Sequence, residues 1–240
     1  MNNQSSSNPT FKIERFNSRR TGEEVMTSEG AYMKTALLLT LVIISASITW
    51  GHYGMMLLLP SFIGSIIFAL ITIFKKEWAA FTSPFYAICE GVVLGSVSFL
   101  YDRQFPGMVQ NAIMLTMAVL MIMAAIYRYN IIRVTQKLKM GIIVCTMAIA
   151  LVYVVSFIMS FFGTSIPMIH SSGPIGIGFS VFVTGLAAFN LLLDFDFIDS
   201  VARTGNAGKH MEWFAAFGLL VTLVWLYLEI LRLLGKLNRR

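Results

Sequence analysis

The chain has 240 residues, of which 57% are hydrophobic and 12% charged, about half the roughly 25% charge of a soluble domain. Mean hydropathy is +0.74, and a water-soluble globule of this size could not hide that much apolar side chain. The composition therefore specifies a membrane protein. Seven spans of roughly 20 residues consume about 140 positions, which leaves short loops and no room for a large soluble domain. A net charge of +6 does not point to nucleic acid. Arg19, Arg20, Lys75, Lys76, Arg128, Arg133, Lys137 and Lys139 fall between apolar runs, where they would face anionic lipid and set orientation. Cys89 and Cys145 lie inside apolar runs and read as small hydrophobes rather than a disulfide framework.

Residues 1–33 form a polar segment rich in Asn, Ser and charge, too poor in apolar surface to fold alone, and are expected to be a disordered cytoplasmic tail. Ser18-Arg19-Arg20 is not followed by a short apolar region with a cleavage site, so the tail is expected to remain uncleaved. From 34 to 240 the apolar runs predict a single domain of seven spans: Thr35 to Trp50, Met55 to Phe74, Phe85 to Leu100, Met108 to Tyr127, Met140 to Phe162, Ile175 to about Asp199, and Trp213 to Leu234. Pro84 suits the first turn of the third helix. Gly51, Pro106-Gly107, the stretch from Gly163 to Pro174, and Gly205 to Gly208 supply turn chemistry between spans. With the N-terminus in the cytoplasm, most of the 18 Lys and Arg residues fall inside, and Arg103 marks an outer loop. Arg232, Lys236, Arg239 and Arg240 fall outside if the last segment crosses, and inside if it is re-entrant. The hydropathy favours seven crossings.

Ionisable groups within spans are costly, roughly 2.5 to 3.5 kcal/mol each on insertion scales. Those present are all acids: Glu90, Asp194, Asp196 and Glu229, with Asp199 and Glu212 nearer the ends. Arg232, three residues after Glu229, is the one cation deep enough to answer them, while Lys209 and Lys236 flank the last span. In the sixth span Asn190 and Asp194 share one face, and Asp196 and Asp199 share another with Arg203 one turn on. The second group reads as a juxtamembrane rim with an Asp199–Arg203 ion pair. In the seventh span Thr222, Trp225, Glu229 and Arg232 form one stripe, in which Glu229 and Arg232 could simply neutralise each other. Two carboxylates brought together in a low dielectric cannot both stay ionised, so one keeps a proton until a cation replaces it. Oxygen-only ligands suit a hard cation such as Ca²⁺. Whether Asp194 and Glu229 meet stays open at this level: counted from the flanking charges, their depths differ by roughly 12 Å at ~1.5 Å per residue. Glu90 lies at an intermediate depth.

Catalytic chemistry lacks parts. His52, His170 and His210 all lie in turns, and no His-x-x-x-His, Gly-x-Ser-x-Gly or Cys-x-x-Cys occurs, so no enzyme is expected. Gly91-Val-Val-Leu-Gly95, and the Ser61, Ser65, Ala69 repeat, read as close helix packing.

The span Val224-Trp-Leu-Tyr-Leu-Glu229-Ile-Leu-Arg-Leu-Leu234 resembles the Leu-Tyr-Leu-Asp signature of the transmembrane Bax inhibitor motif family. Asp194-Phe-Asp-Phe-Ile198 resembles the Asp-x-x-x-Ile of its sixth helix, and Glu90-Gly-Val-Val-Leu-Gly95 its Gly-x-x-Leu-Gly third helix. The similarity is greatest to the bacterial Bax inhibitor-1/YccA-like branch, through Tyr86-Ala-Ile-Cys-Glu-Gly, Gly176-Ile-Gly-Phe-Ser and Glu212-Trp-Phe-Ala-Ala-Phe-Gly. This resemblance implies a seven-helix bundle around a central C-terminal helix and a pH-sensitive Ca²⁺ leak, or Ca²⁺/H⁺ exchange, through a carboxylate pair. Carried over by position, the pair is Asp194 and Glu229, the latter Glu where the family has Asp. Asn190, Glu90 and Asp196 would support the pair, and Arg232 would be a latch over the acids when the path is shut. Expected partners are the lipid bilayer, protons and transient Ca²⁺, with no fixed cofactor, in a plasma (inner) membrane. The second reading is a non-conducting scaffold for a membrane-anchored AAA protease or other integral protein, with Gly91, Gly95 or the tail supplying the contact.

Overall fold

The computed structural model describes residues 24–163 and 171–239. Among the described residues seven α-helices run in chain order: α1 Ser28–Ile48, α2 His52–Phe74, α3 Ala79–Gln104, α4 Met108–Arg128, α5 Gln136–Phe161, α6 Pro174–Thr204 and α7 His210–Asn238. All seven contain a stretch long and apolar enough to cross a membrane. A 3₁₀ turn, Lys76–Trp78, leads into α3. Among the described residues the only strand-like pairing is an isolated antiparallel bridge between Val25 and Gly208.

Most of the helices outrun their apolar segments, because hydropathy marks the bilayer-crossing part and not the polar turns that continue beyond it. The clearest case is α1. Its first turn forms six residues before the expected boundary at 34, since the Thr27 hydroxyl accepts the Gly30 N–H at 3.0 Å and Glu29 lies at the positive end of the helix dipole. Residues 28–33 are therefore helix rather than tail, and Ala31 is fully buried. The expected disorder concerns residues 1–23, which lie outside the described residues. Pro84 is also displaced from its expected place: it is the sixth residue of α3, not part of a first turn. Ala79, Thr82 and Ser83 are buried ahead of it. Thr82 ties this stretch down, with its hydroxyl on the Trp78 carbonyl at 3.0 Å and against the Thr72 hydroxyl of α2 at 2.6 Å. Side-chain hydroxyls of this kind make a proline tolerable inside a membrane helix.

The C-terminal helix α7 is the centre of the bundle. One side packs Ala216, Phe217, Leu220 and Val224 against Leu38, Val42, Tyr86 and Leu94 of α1 and α3. The other packs Leu219, Leu223, Leu226 and Ile230 into a cluster with Val109 and Ala112 of α4 and Leu191, Phe195 and Ile198 of α6. It crosses the whole bundle. Its first turn meets the start of α1, where Glu212 binds Thr27, and its far end meets the end of α3, where Arg239 donates to Gln104 at 3.1 Å. A re-entrant last segment does not fit this path. Helix α5 is peripheral and packs on α6 through a small cluster of Ile142, Ile149, Val183 and Leu186.

Gly91 and Gly95 set the distance between α1 and α3. A Cβ on Gly95 would lie 2.6 Å from the Ala46 carbonyl oxygen, and one on Gly91 would collide with Ser45. The glycines are thus spent inside the bundle, which removes them as a contact for a partner protein. Gly95→Val should lower unfolding stability by about 1–3 kcal/mol through overpacking. Gly141→Ala is the control: Gly141 is helical with nothing near its missing Cβ, and alanine there should be neutral or stabilising. Thermal unfolding of the purified protein in detergent distinguishes the two. Equal behaviour would mean that the close approach of α1 to α3 does not limit stability.

Candidate cation and proton site

Two turns of α7 carry the deepest charges, because α7 is the most buried of the seven helices. Glu229 is 1% exposed. Its Oε1 accepts from Arg232 Nη1 at 2.7 Å, from the Tyr153 hydroxyl of α5 at 2.8 Å and from Trp225 Nε1 at 3.3 Å. The same Arg232 nitrogen donates to the Tyr153 oxygen at 2.7 Å, and the guanidinium lies over the Tyr153 ring, 5.0 Å from its centroid. Arginine, tyrosine and glutamate thus close a triangle. Glu229 Oε2, by contrast, is buried without a partner among the described residues. The Glu229–Arg232 pair follows from i,i+3 spacing. Tyr153 does not, since nothing local in α5 indicates that it faces α7.

Asp194 lies on α6 opposite Thr222 of α7, whose hydroxyl donates to the Gly218 carbonyl at 3.3 Å. Its Oδ2 is likewise buried with no partner among the described residues. Helices α6 and α7 are antiparallel, and a second contact, Lys236 Nζ on Ser180 Oγ at 2.7 Å, has the same register as Asp194 with Thr222. In that register Glu229 is level with Ala187. The two acids therefore lie on one seam but seven residues, or roughly 10 Å, apart along the helices. They do not touch, as counting depths from the flanking charges foreshadowed.

The supporting residues are dispersed. Asn190 turns to α5, giving its Nδ2 hydrogens to Thr146 Oγ1 at 2.8 Å and to the Leu186 carbonyl at 2.9 Å. Asp196 pairs with Lys139 of α5 at 2.5 Å. Glu90 meets Ser65 of α2. None of the three reaches Asp194 or Glu229. The Asp199–Arg203 rim pair is present but loose, at 4.0 Å, and Asp199 also accepts from Tyr127 at 3.2 Å. On α5, Lys139, Thr146 and Tyr153 recur every seven residues and meet Asp196, Asn190 and Glu229 in turn. Contacts of this kind contribute about 0.6–2 kcal/mol each between membrane helices, which is how a helix with so small an apolar cluster stays docked. Among the described residues no three His, Cys, Asp or Glu side chains converge on a metal position.

Two charged residues lie deeper than their sequence positions suggested. Lys236 is inside α7, not flanking it, and only 6% exposed; its ammonium is held by the Gly176 carbonyl at 2.9 Å and by Ser180, with no carboxylate within ion-pair distance among the described residues. Glu212 is fully buried. It accepts the Thr27 N–H and hydroxyl, both at 2.9 Å, and pairs with Lys34 and, at 3.4 Å, Lys209. Gly30 packs so closely on its carboxylate that a Cβ would collide. This cradle fastens the start of α1 to the start of α7, and the Met26 N–H to the Ala207 carbonyl at 2.9 Å extends the clasp.

A family model described as Bax inhibitor 1 like matches residues 8–239. The chain belongs to that family. No curated protein and no solved structure gives a match. The Bax inhibitor 1 like chain therefore carries two separate acidic centres on α7, one clasping α1 and one facing α5 and α6. Replacing Glu212 with alanine would leave Lys34 facing a void, a loss of about 3–5 kcal/mol for a broken buried pair. Lys34→Met should cost less, because the Thr27 donors and Lys209 still serve the carboxylate. A double-mutant cycle with Glu212→Gln and Lys34→Met, read by thermal unfolding, should give a coupling energy above 0.5 kcal/mol, the level expected of residues in one network. Additive losses would show that the cradle does not act as a unit.

Proposed function

We propose that this Bax inhibitor 1 like protein is a pH-sensitive Ca²⁺ leak channel or Ca²⁺/H⁺ exchanger of a plasma membrane, with its N-terminus in the cytoplasm and no catalytic activity. The observation that carries this reading is the pair of unpartnered buried carboxylate oxygens, Asp194 Oδ2 and Glu229 Oε2, on one α6–α7 seam. A buried acceptor without a donor is costly to a structural residue and is what a hard cation or a proton would use. Calcium is the cargo here, held at one of these oxygens at a time, with water and carbonyls completing its shell.

In this reading Arg232 is the latch and Tyr153 its brace. A calcium dye inside proteoliposomes, read from alkaline to acidic external pH, tests the assignment. Asp194→Asn and Glu229→Gln should each abolish flux or its pH response. Tyr153→Phe removes the hydroxyl shared by Arg232 and Glu229 and should raise basal flux severalfold. If both acid variants conduct like the parent at every pH, the site is wrong.

One observation favours a second reading. At 2.7 Å, Arg232 already neutralises Glu229, as it would in a non-conducting scaffold that binds a membrane-anchored AAA protease or another integral protein. Absence of flux at any pH, together with a membrane protein that co-purifies in mild detergent, would decide for the scaffold.

A further inference from the structure

Helices α1 and α4 both lean on α3 and α7 but scarcely touch each other. Between them, at the end of the bundle remote from Glu212, is a cavity of about 180 Å³. Its floor is apolar, with Val42 and Ala46 of α1, Leu94 of α3, Val109 of α4 and Leu223 of α7. Four hydroxyls lie on its wall, and each is already engaged: Ser98 with Tyr227 at 2.6 Å, Ser47 with the Ile43 carbonyl at 2.7 Å, and Thr116 with the Ala112 carbonyl at 2.7 Å. The cavity therefore has little to offer a polar ligand. Its rim residues Ile43, Trp50 and Ile113 are 56%, 43% and 47% exposed. On membrane-spanning helices, such apolar side chains face hydrocarbon rather than water.

The rim leads to a cation. Trp50 stands edge-on to Phe99, with ring centroids 6.2 Å apart, and the Arg103 guanidinium lies 5.8 Å from the Phe99 ring. Arg103 is exposed in the last turn of α3, with no carboxylate within ion-pair distance among the described residues. A tryptophan and an arginine at a helix end are the groups that sit at headgroup depth. Arginine matches a phosphate in geometry as well as charge.

We propose that this crevice is a binding site for one anionic phospholipid, with an acyl chain between α1 and α4 and the phosphate on Arg103. Native mass spectrometry of the full chain in detergent, titrated with phosphatidylglycerol or phosphatidylcholine, tests it. The parent should retain one phosphatidylglycerol, bound about fivefold more tightly than phosphatidylcholine, the preference one basic side chain near an anionic lipid supplies. Arg103→Gln should erase that preference while keeping the chain in the crevice. Ile113→Trp should fill the cavity and lower occupancy by both lipids, and Ile43→Trp, on the opposite rim, should do the same. Equal binding of the two lipids by the parent would overturn the proposal, as would an undiminished preference in Arg103→Gln. Unchanged occupancy in both tryptophan variants would overturn it as well.

Discussion

The C-terminal helix α7 is the most buried of the seven, and the charges it carries deep inside the bundle organise the molecule. Long basic side chains near a helix end usually escape burial by snorkelling to the interface. Here Lys236 is enclosed by α6, and Glu212 and Glu229 are almost wholly buried. Each has at least one partner on another segment of the chain. Glu212 takes α1, Glu229 takes α5, Lys236 takes α6. Between helices in hydrocarbon the hydrophobic effect gives little discrimination, so close packing and polar contacts decide the arrangement. The partners of α7 are in this sense the assembly instructions of the bundle, with Gly91 and Gly95 fixing the remaining α1–α3 approach.

What could be read from the sequence followed from local rules. Apolar runs located seven crossings, because bilayer thickness imposes their length. Glu229 with Arg232, and Asp199 with Arg203, follow from helical spacing alone. Depth counting put Asp194 and Glu229 on different levels, and the α6–α7 register has them two turns apart. The helix ends were harder to read, since Thr27 and Glu29 extend α1 by capping and dipole effects that hydropathy ignores. Tyr153, Thr146 and the buried Lys236 were invisible for another reason. Their significance lies in which helix they face, and that is settled by packing between segments far apart in the chain. The seven-residue recurrence of Lys139, Thr146 and Tyr153 is the one sequence signal that could have marked the polar face of α5.

Helix α5 differs from the others in what holds it. Helices α1, α3, α4 and α6 share extensive apolar clusters with α7, whereas α5 has four buried apolar residues in common with α6 and three polar contacts along one edge. Polar contacts depend on protonation and on competing ions; apolar burial does not. The Glu229 carboxylate touches α5 through Tyr153, whereas Asp194 faces Thr222 of α7, and neither acid belongs to the apolar α1–α3–α7 cluster.

Charge order along α7 gives the seam a direction. Toward its C-terminal end Arg232 and Lys236 are both cationic, and among the described residues Lys236 has no carboxylate within ion-pair distance. Toward its middle the seam passes Trp225 and Thr222 to reach Asp194. A cation level with Glu229 is thus repelled from the Lys236 side and attracted toward Asp194, and in a low-dielectric interior such fields are weakly screened. While Arg232 occupies Glu229 Oε1 the pair is neutral, and moving the guanidinium off the carboxylate would leave a negative charge there without moving any helix. For that reason the charge of this seam depends on where one arginine side chain sits, held as it is by one tyrosine hydroxyl.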